Sequence, residues 1–199
     1  MKEDKKCTFC HPERLLEELP PKGGNNRVHC KRGIYEDRYC FATLAPEQYT
    51  HGYAILVLRN HRADITDYNI SNEELSGFIS AIHKLARHLK DKLRDNNNNP
   101  PERIYVCSLC DGVQHLHAHL IPRYKFTRED RVNYREQFKE RDSKEEIDEA
   151  VESGELGGFW YIAHREKNYK RSELWAKSDK ERAQHLEKLA SKLRLYNTQ

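Results

Sequence analysis

Three histidines recur at two-residue spacing in the segment Gln114-His-Leu-His-Ala-His-Leu-Ile-Pro-Arg123. Imidazole titrates near neutral pH, ligates metals through a ring nitrogen and can attack phosphorus or carbonyl centres. In an extended strand, His115, His117 and His119 project from one face, while Leu116, Ala118 and Leu120 line the other and enter a core. A helix would instead bring His115 and His119 together four residues apart. Pro122 argues against it, because it holds Ile121 in extended geometry. The alternation and the preceding run Ile104-Tyr105-Val106 favour strands. The row therefore implies a reaction site, a metal site, or both. Two Cys-x-x-Cys pairs, Cys7/Cys10 and Cys107/Cys110, offer thiolates for metal binding. Cys30 and Cys40 stand alone, and Cys40 reads as a buried small hydrophobe.

These residues need elements to position them. After the knot Cys7-Thr-Phe-Cys-His11 comes a loop-like stretch, Pro20–Asn26. Residues 33–43 predict two short strands joined at Glu36-Asp37. Ala54–Leu58 is an apolar run of strand length that leads into Arg59-Asn60-His61. Residues 71–95 predict the long helix. Ser71 with Glu74 is a capping-box pair, and Leu75, Phe78, Ile79, Ile82, Leu85, Ala86, Leu89 and Leu93 form its apolar stripe. His83 and His88 lie off that stripe and read as solvated. Asn96–Asn99 before Pro100-Pro101 ends the helix. Strands follow at about 103–108 and 115–121. After Arg123 the chain turns mostly charged. It carries a helix opened by Ser143/Glu146, a short strand Phe159–Ala163 after Gly157-Gly158, and a last helix from Ser178/Glu181 running towards Tyr196. Trp160 and Trp175 are expected to pack this extension onto the core.

Composition narrows the classes. The 199 residues are 37% hydrophobic and 34% charged, with a net charge of +3. That suits one core with a highly charged surface and gives no general nucleic-acid or membrane electrostatics. No stretch approaches about 18 apolar residues, so no transmembrane helix is expected. The start, Met-Lys-Glu-Asp-Lys-Lys, lacks the apolar region of a secretory signal. The expected setting is therefore the cytoplasm, with thiols reduced or metal-bound.

His115-Leu-His-Ala-His-Leu-Ile-Pro-Arg123 resembles the signature of the histidine triad (HIT) superfamily of nucleotide hydrolases and transferases. Cys7-Thr-Phe-Cys10 is similar to the zinc-binding start of bacterial members, Ile34–Ala42 resembles the first hairpin, and Ile55–His61 resembles the apolar strand that ends in a basic residue and a histidine. The likeness covers roughly residues 7–123. It implies an α+β fold, an antiparallel sheet with one long helix, with residues 1–124 as the catalytic domain. Residues 125–199 then form a charged, mainly helical extension packed on that core. A homodimer is also implied.

By the same resemblance, His117 is the nucleophile towards the α-phosphorus of a nucleotide and gives a covalent nucleotidyl-histidine. His119 stabilises phosphate charge, with His115 completing the triad. Phe41 and Leu44 are the candidate apolar wall for the base, and Tyr53, Gly112 and Arg123 the remaining substrate contacts. Cys7, Cys10, His61 and His115 are the candidate ligands of a structural zinc. His11 or His51 in place of His61, and a Cys₄ site with Cys107/Cys110, are the rivals. The sequence also departs from the family pattern. Asp111 and Gly112 stand where glutamine and a hydroxyl residue usually hold phosphate. Tyr53 stands for a histidine, and Thr43 for an aspartate that binds ribose. The expected activity is hydrolysis of nucleoside 5′-phosphoryl compounds, such as dinucleoside polyphosphates or phosphoramidates. The alternatives are a nucleotidyltransferase or phosphorylase and an inactive zinc-stabilised nucleotide-binding module. A uridylyltransferase fits less well, since that branch has glutamine where this chain has His119.

Overall fold

The structure is a computed structural model, and it describes residues 7–22, 27–138, 143–152, 158–169 and 173–195. Strands β1 (Glu18–Leu19) and β2 (Val28–His29) form a small hairpin beyond helix α1 (Pro12–Glu17). The main sheet contains β3 (Gly33–Glu36), β4 (Cys40–Leu44), β5 (Ala54–Leu58), β6 (Arg103–Cys107) and β7 (His117–Arg123). Its order is β3-β4-β5-β7-β6, and every neighbouring pair is antiparallel. The expected α+β architecture is the one observed.

The triad strand is interior to this sheet. It begins at His117, two residues later than the pattern predicted. Pro122 is tolerated inside it because β5 pairs only as far as Leu120↔Ala54, leaving Pro122 opposite Ile104 of β6 alone.

Helix α2 (Asn72–Lys92) covers one face of the sheet. Ser71 Oγ accepts from the Glu74 amide and the Glu74 carboxylate accepts from the Ser71 amide, so the capping box is closed in both directions. Phe78, Ala81, Leu85 and Leu89 pack with Ala42, Leu44, Leu56, Ala118 and Leu120 in the main core. Two expectations for this helix fail. Ile79 is half exposed rather than part of the buried stripe. His88 is partly buried, with Nε2 3.1 Å from the Leu193 carbonyl, because helix α7 (Asp179–Leu193) lies beside α2.

The extension is mainly helical in its described parts. Helices α3 (Arg128–Phe138), α4 (Lys144–Glu152), α5 (Gly158–Tyr169) and α6 (Glu173–Ala176) precede α7. The strand predicted at 159–163 is instead the first half of α5. Tyr161 and Tyr169 are both buried, and that eight-residue interval is helical, a spacing the five apolar residues Phe159–Ala163 concealed. Gly157 and Tyr196, at the predicted borders of this strand and of the last helix, and Gly23–Asn26 of the predicted loop lie outside the described residues. Ala183, Leu186, Leu189, Ala190 and Leu193 of α7 join the main core. Tyr161 and Phe126 form a second cluster with Trp160 against them. Trp175 meets the buried Tyr169 ring edge-on at 5.7 Å and sits beneath Lys22 and Arg182. Among the described residues, no helix is long and apolar enough to cross a membrane.

Candidate active site and metal centre

The sheet face opposite α2 carries the chemistry. Strand alternation turns His117 and His119 of β7 to this face, with Val57 opposite His117 and Ile55 opposite His119 on β5. His115 lies in the approach to the strand. The Leu116 amide donates to the Arg62 carbonyl and the Leu58 amide to the Leu116 carbonyl, which sets His115 beside the loop that follows β5.

That loop holds His61. Its neighbours Asn60 and Arg62 both donate to the Glu74 carboxylate, Arg62 Nη2 at 3.0 Å. The N-terminal turn Thr8–Cys10 brings the thiols to the same place. Cys7 Sγ is 3.3 Å from His115 Nδ1, Cys10 Sγ is 3.3 Å from His61 Nδ1, and Cys10 Sγ is 3.6 Å from His115 Nδ1. The four ligand atoms lie within 4.8 Å of one another. Zinc bonds of about 2.3 Å to sulfur and 2.0–2.1 Å to nitrogen give a tetrahedral S···N edge of roughly 3.5 Å. The donor set, its burial and these edges fit a closed Cys₂His₂ zinc site. The other ring nitrogen of His115, Nε2, is 2.7 Å from the Leu58 carbonyl, a bond that orients the ring and frees Nδ1 to ligate.

The rivals fall away. His11 pairs with Glu13, and His51 lines a hollow beside α7. Cys107 packs with Tyr53 and Ile121, and Cys110 Sγ lies 3.7 Å from the His115 carbonyl oxygen. Neither joins the metal cluster among the described residues.

His117 and His119 form a polar chain whose direction can be worked out. His117 Nδ1 is 2.6 Å from the His115 carbonyl, which only accepts, so Nδ1 carries the proton and Nε2 a lone pair. His117 Nε2 is 3.1 Å from His119 Nε2, which must then donate. His119 Nδ1 is left as an acceptor, and the Tyr53 hydroxyl donates to it at 2.6 Å. Ser108 Oγ donates to the His117 carbonyl at 2.6 Å and steadies the strand. Burial pushes the His119 imidazole down to about 4, with His117 adding to the effect, and burial likewise pushes His117 below its ordinary value. Burial raises the Tyr53 phenol, which keeps it a neutral donor.

His117 is not open to solvent. His117 is 5% exposed. Phe9, between the two cysteines, meets its ring edge-on at 4.8 Å, and His119 covers Nε2. Phe41 is on this face but sealed beneath Phe9, Leu15 and Val57. Leu44 is on the opposite face, in the core with α2, and is no part of a base wall. Thr43 gives its hydroxyl to the Leu15 carbonyl at 2.9 Å, with the Arg32 carbonyl at 3.2 Å. Gly112 and Asp111 are exposed, and a side chain at Gly112 would meet open space. Arg123 is bound to Glu102 at 2.7 Å and lies over Phe126, away from the triad.

Several contributors escaped the sequence reading. Phe9 and Glu74 could have been suspected from their places between two ligands and in a capping box. Ser108 carries no such mark, and Cys110, read from the sequence only as a possible metal thiolate, holds a left-handed φ of 56° beside His117.

The HIT domain family matches residues 26–126. The chain belongs to this family. A curated relative, Protein hit of Bacillus subtilis (strain 168), is 29% identical over 96 residues, 46% of this chain and 61% of the relative. The matched stretch therefore falls short of two thirds of that relative's length. Among solved structures, a Hit-like protein from Bartonella henselae aligns at TM-score 0.46 with 19% identity, covering 63% of this chain and 84% of that one. A zinc-bound histidine triad family protein from Mycobacterium smegmatis aligns at TM-score 0.44 with 19% identity, covering 84% and 98%.

Proposed function

We propose that this HIT protein hydrolyses nucleoside 5′-phosphoryl compounds, such as dinucleoside polyphosphates or phosphoramidates, with His117 as nucleophile. The observation that carries this reading is the one-way hydrogen-bond chain, which leaves a lone pair on His117 Nε2. As substrate enters, the His119 N–H moves from His117 Nε2 to a non-bridging phosphate oxygen. Nε2 then bonds to the α-phosphorus and the bond to the leaving group breaks, with the electron pair going to that group, a phosphate, or an amine that takes up a proton from solvent as it departs. Water cleaves the P–N bond, releases the nucleoside monophosphate and returns the lone pair to Nε2, while its surplus proton passes to solvent. Splitting the displacement in two lowers each barrier, and His119 stabilises charge in both steps. Zinc, held by Cys7, Cys10, His61 and His115, fixes the N-terminus to the triad and takes no part in the chemistry.

The same reading takes residues 1–124 as the catalytic unit and 125–199 as an extension, in a cytoplasmic homodimer. The free thiols of Cys30 and Cys40, both buried, agree with a reducing compartment. Light scattering tests the dimer.

A second reading, a nucleotide-binding module without turnover, is favoured by the 5% exposure of His117 and by the exposed Asp111 and Gly112 where phosphate is usually held. One assay separates the readings. Protein is incubated with dinucleoside polyphosphate and phosphoramidate substrates, with and without inorganic phosphate, alongside His117→Ala. Monophosphate release that His117→Ala abolishes supports the hydrolase. Diphosphate products that require inorganic phosphate indicate a phosphorylase. Nucleotide binding without turnover in the wild type establishes the module.

A further inference from the structure

A second cationic site lies on the other side of the molecule. The end of α2, the outer face of α7 and the turn at His51 enclose a hollow of about 400 Å³ lined by His51, Lys92, Leu93, Arg94, His185, Lys188, Leu189, Lys192 and Leu193. Six of these nine residues carry basic nitrogen, and none is acidic. The chain as a whole is nearly balanced, with 35 Lys+Arg against 32 Asp+Glu, so this one-signed lining is a local feature. Among the described residues, Lys92, Lys188 and Lys192 have no ion-pair partner, a property shared by the other described lysines.

The carboxylates that flank the lining in sequence are Asp91, Asp95 and Glu187, and two of them are held by backbone amides. Glu187 accepts from the Lys31 amide at 2.9 Å, and Asp95 accepts from the amides of Asn97 and Asn99. The field of these cations registers on their neighbours. After burial, Lys192 and His185 help push His51 down, and Lys177 and Lys188 help push His185 down. Within the lining itself the charge is of one sign.

We propose that this hollow binds an oligophosphate chain, either inorganic or borne by a nucleotide. Its volume falls within the roughly 300–1,000 Å³ of small-ligand sites. Lysine ammonium groups, each a point charge with three rotatable donors, suit the many oxygens of linked phosphates. The floor is Leu93, Leu189 and Leu193, and the planar groups in the lining are the His51 and His185 imidazoles and the Arg94 guanidinium. The chemistry shared by the inorganic and the nucleotide-borne ligand is the phosphate chain. α2 and α7 pack on the sheet face opposite His117 and His119, so the site is distinct from the triad.

The test is calorimetric titration of the full zinc-loaded chain with sodium tripolyphosphate, and in parallel with ATP, at low salt. We expect saturable tripolyphosphate binding that survives His117→Ala. It should weaken about 10–30-fold in the triple variant Lys92→Gln/Lys188→Gln/Lys192→Gln. It should be unchanged in Lys84→Gln/Arg87→Gln/Lys180→Gln, which removes the same charge from exposed positions outside the hollow. Equal or tighter binding of ATP, lost in the first triple variant, identifies the nucleotide-borne source. Inorganic chain bound more tightly than ATP identifies the other. Absence of saturable tripolyphosphate binding overturns the proposal, as does equal weakening in both triple variants or loss of binding in His117→Ala. His117→Ala activity is measured on the same samples, so failure of the catalytic reading and failure of this one are read separately.

Discussion

Replacing Tyr53 with phenylalanine removes one oxygen atom and tests the direction of the whole histidine chain. The ring of Tyr53 is buried, 8% exposed, and stacks on Tyr49 at 5.6 Å, packing that phenylalanine keeps. What is lost is the 2.6 Å bond to His119 Nδ1. The His115 carbonyl fixes His117 Nδ1 as a donor, His117 Nε2 as an acceptor and His119 Nε2 as a donor, so Nδ1 of His119 cannot change roles without breaking another bond. Tyr53→Phe therefore strands a buried acceptor, at a cost of about 1–3 kcal/mol. For a chain of this size each kcal/mol moves Tm by about 2–4 °C. The expected fall is measured by calorimetry. Nitrogen-15 NMR of the histidine rings supplies the second readout: in the wild type His117 carries its proton on Nδ1 and His119 on Nε2. A Tm fall below about 1 °C, or a wild-type spectrum with these assignments reversed, refutes the reasoning.

Three further outcomes follow from the same geometry. Cys10→Ser removes the thiol that faces both His61 and His115, so bound zinc, measured by atomic emission on purified protein, should fall from one per chain to a small fraction. Glu74→Gln weakens the hold on Asn60 and Arg62, which flank His61, and should lower zinc affinity by about 10-fold in a chelator competition besides loosening the start of α2. His119 is held neutral in the fold, with its folded value down at about 4. Between roughly pH 6.5 and 4 the unfolded chain binds the extra proton, so stability should decline as pH falls through that window and rise as pH is restored. Denaturant midpoints across that range should be flatter for His119→Gln, and an equal slope in both proteins would contradict the assignment.

The parts of the fold legible in the sequence are those where one local pattern decides the outcome. Ser71 and Glu74 marked the start of α2, and the period-two alternation marked β7, because capping and pleat are set by residues a few positions apart. The metal set became visible through a resemblance joining four distant segments, something no local period supplies. Misreadings have equally local causes. Leu44 shares strand parity with Cys40 and Ala42 rather than with Phe41, so the pleat already excluded it from the face of His117. Phe159–Ala163 is too short an apolar run to distinguish strand from helix, and Tyr169 settled the matter only when the later residues were in view. The burial of His117 was not legible, because Phe9 reaches it from more than a hundred residues away.

That burial changes how the site must work. His115 joins the two halves of the centre: Nδ1 faces the thiols, Nε2 is held by Leu58, and its carbonyl fixes the tautomer of His117. Phe9 belongs to the turn that carries the thiols, so the clamp that orders His117 also shields it. A metal-ordered turn offers little local freedom, and Phe9 is constrained by the cysteines on either side. Among the described residues, the His119 side chain is hydrogen-bonded through its two ring nitrogens, to Tyr53 and to His117. A phosphate oxygen that accepts from His119 Nε2 replaces the second of these bonds like for like and uncovers His117 Nε2 in the same movement. On the hydrolase reading proposed above, access to His117 Nε2 is gained at His119, by exchange of one acceptor for another, rather than by unfolding the turn that carries the thiols.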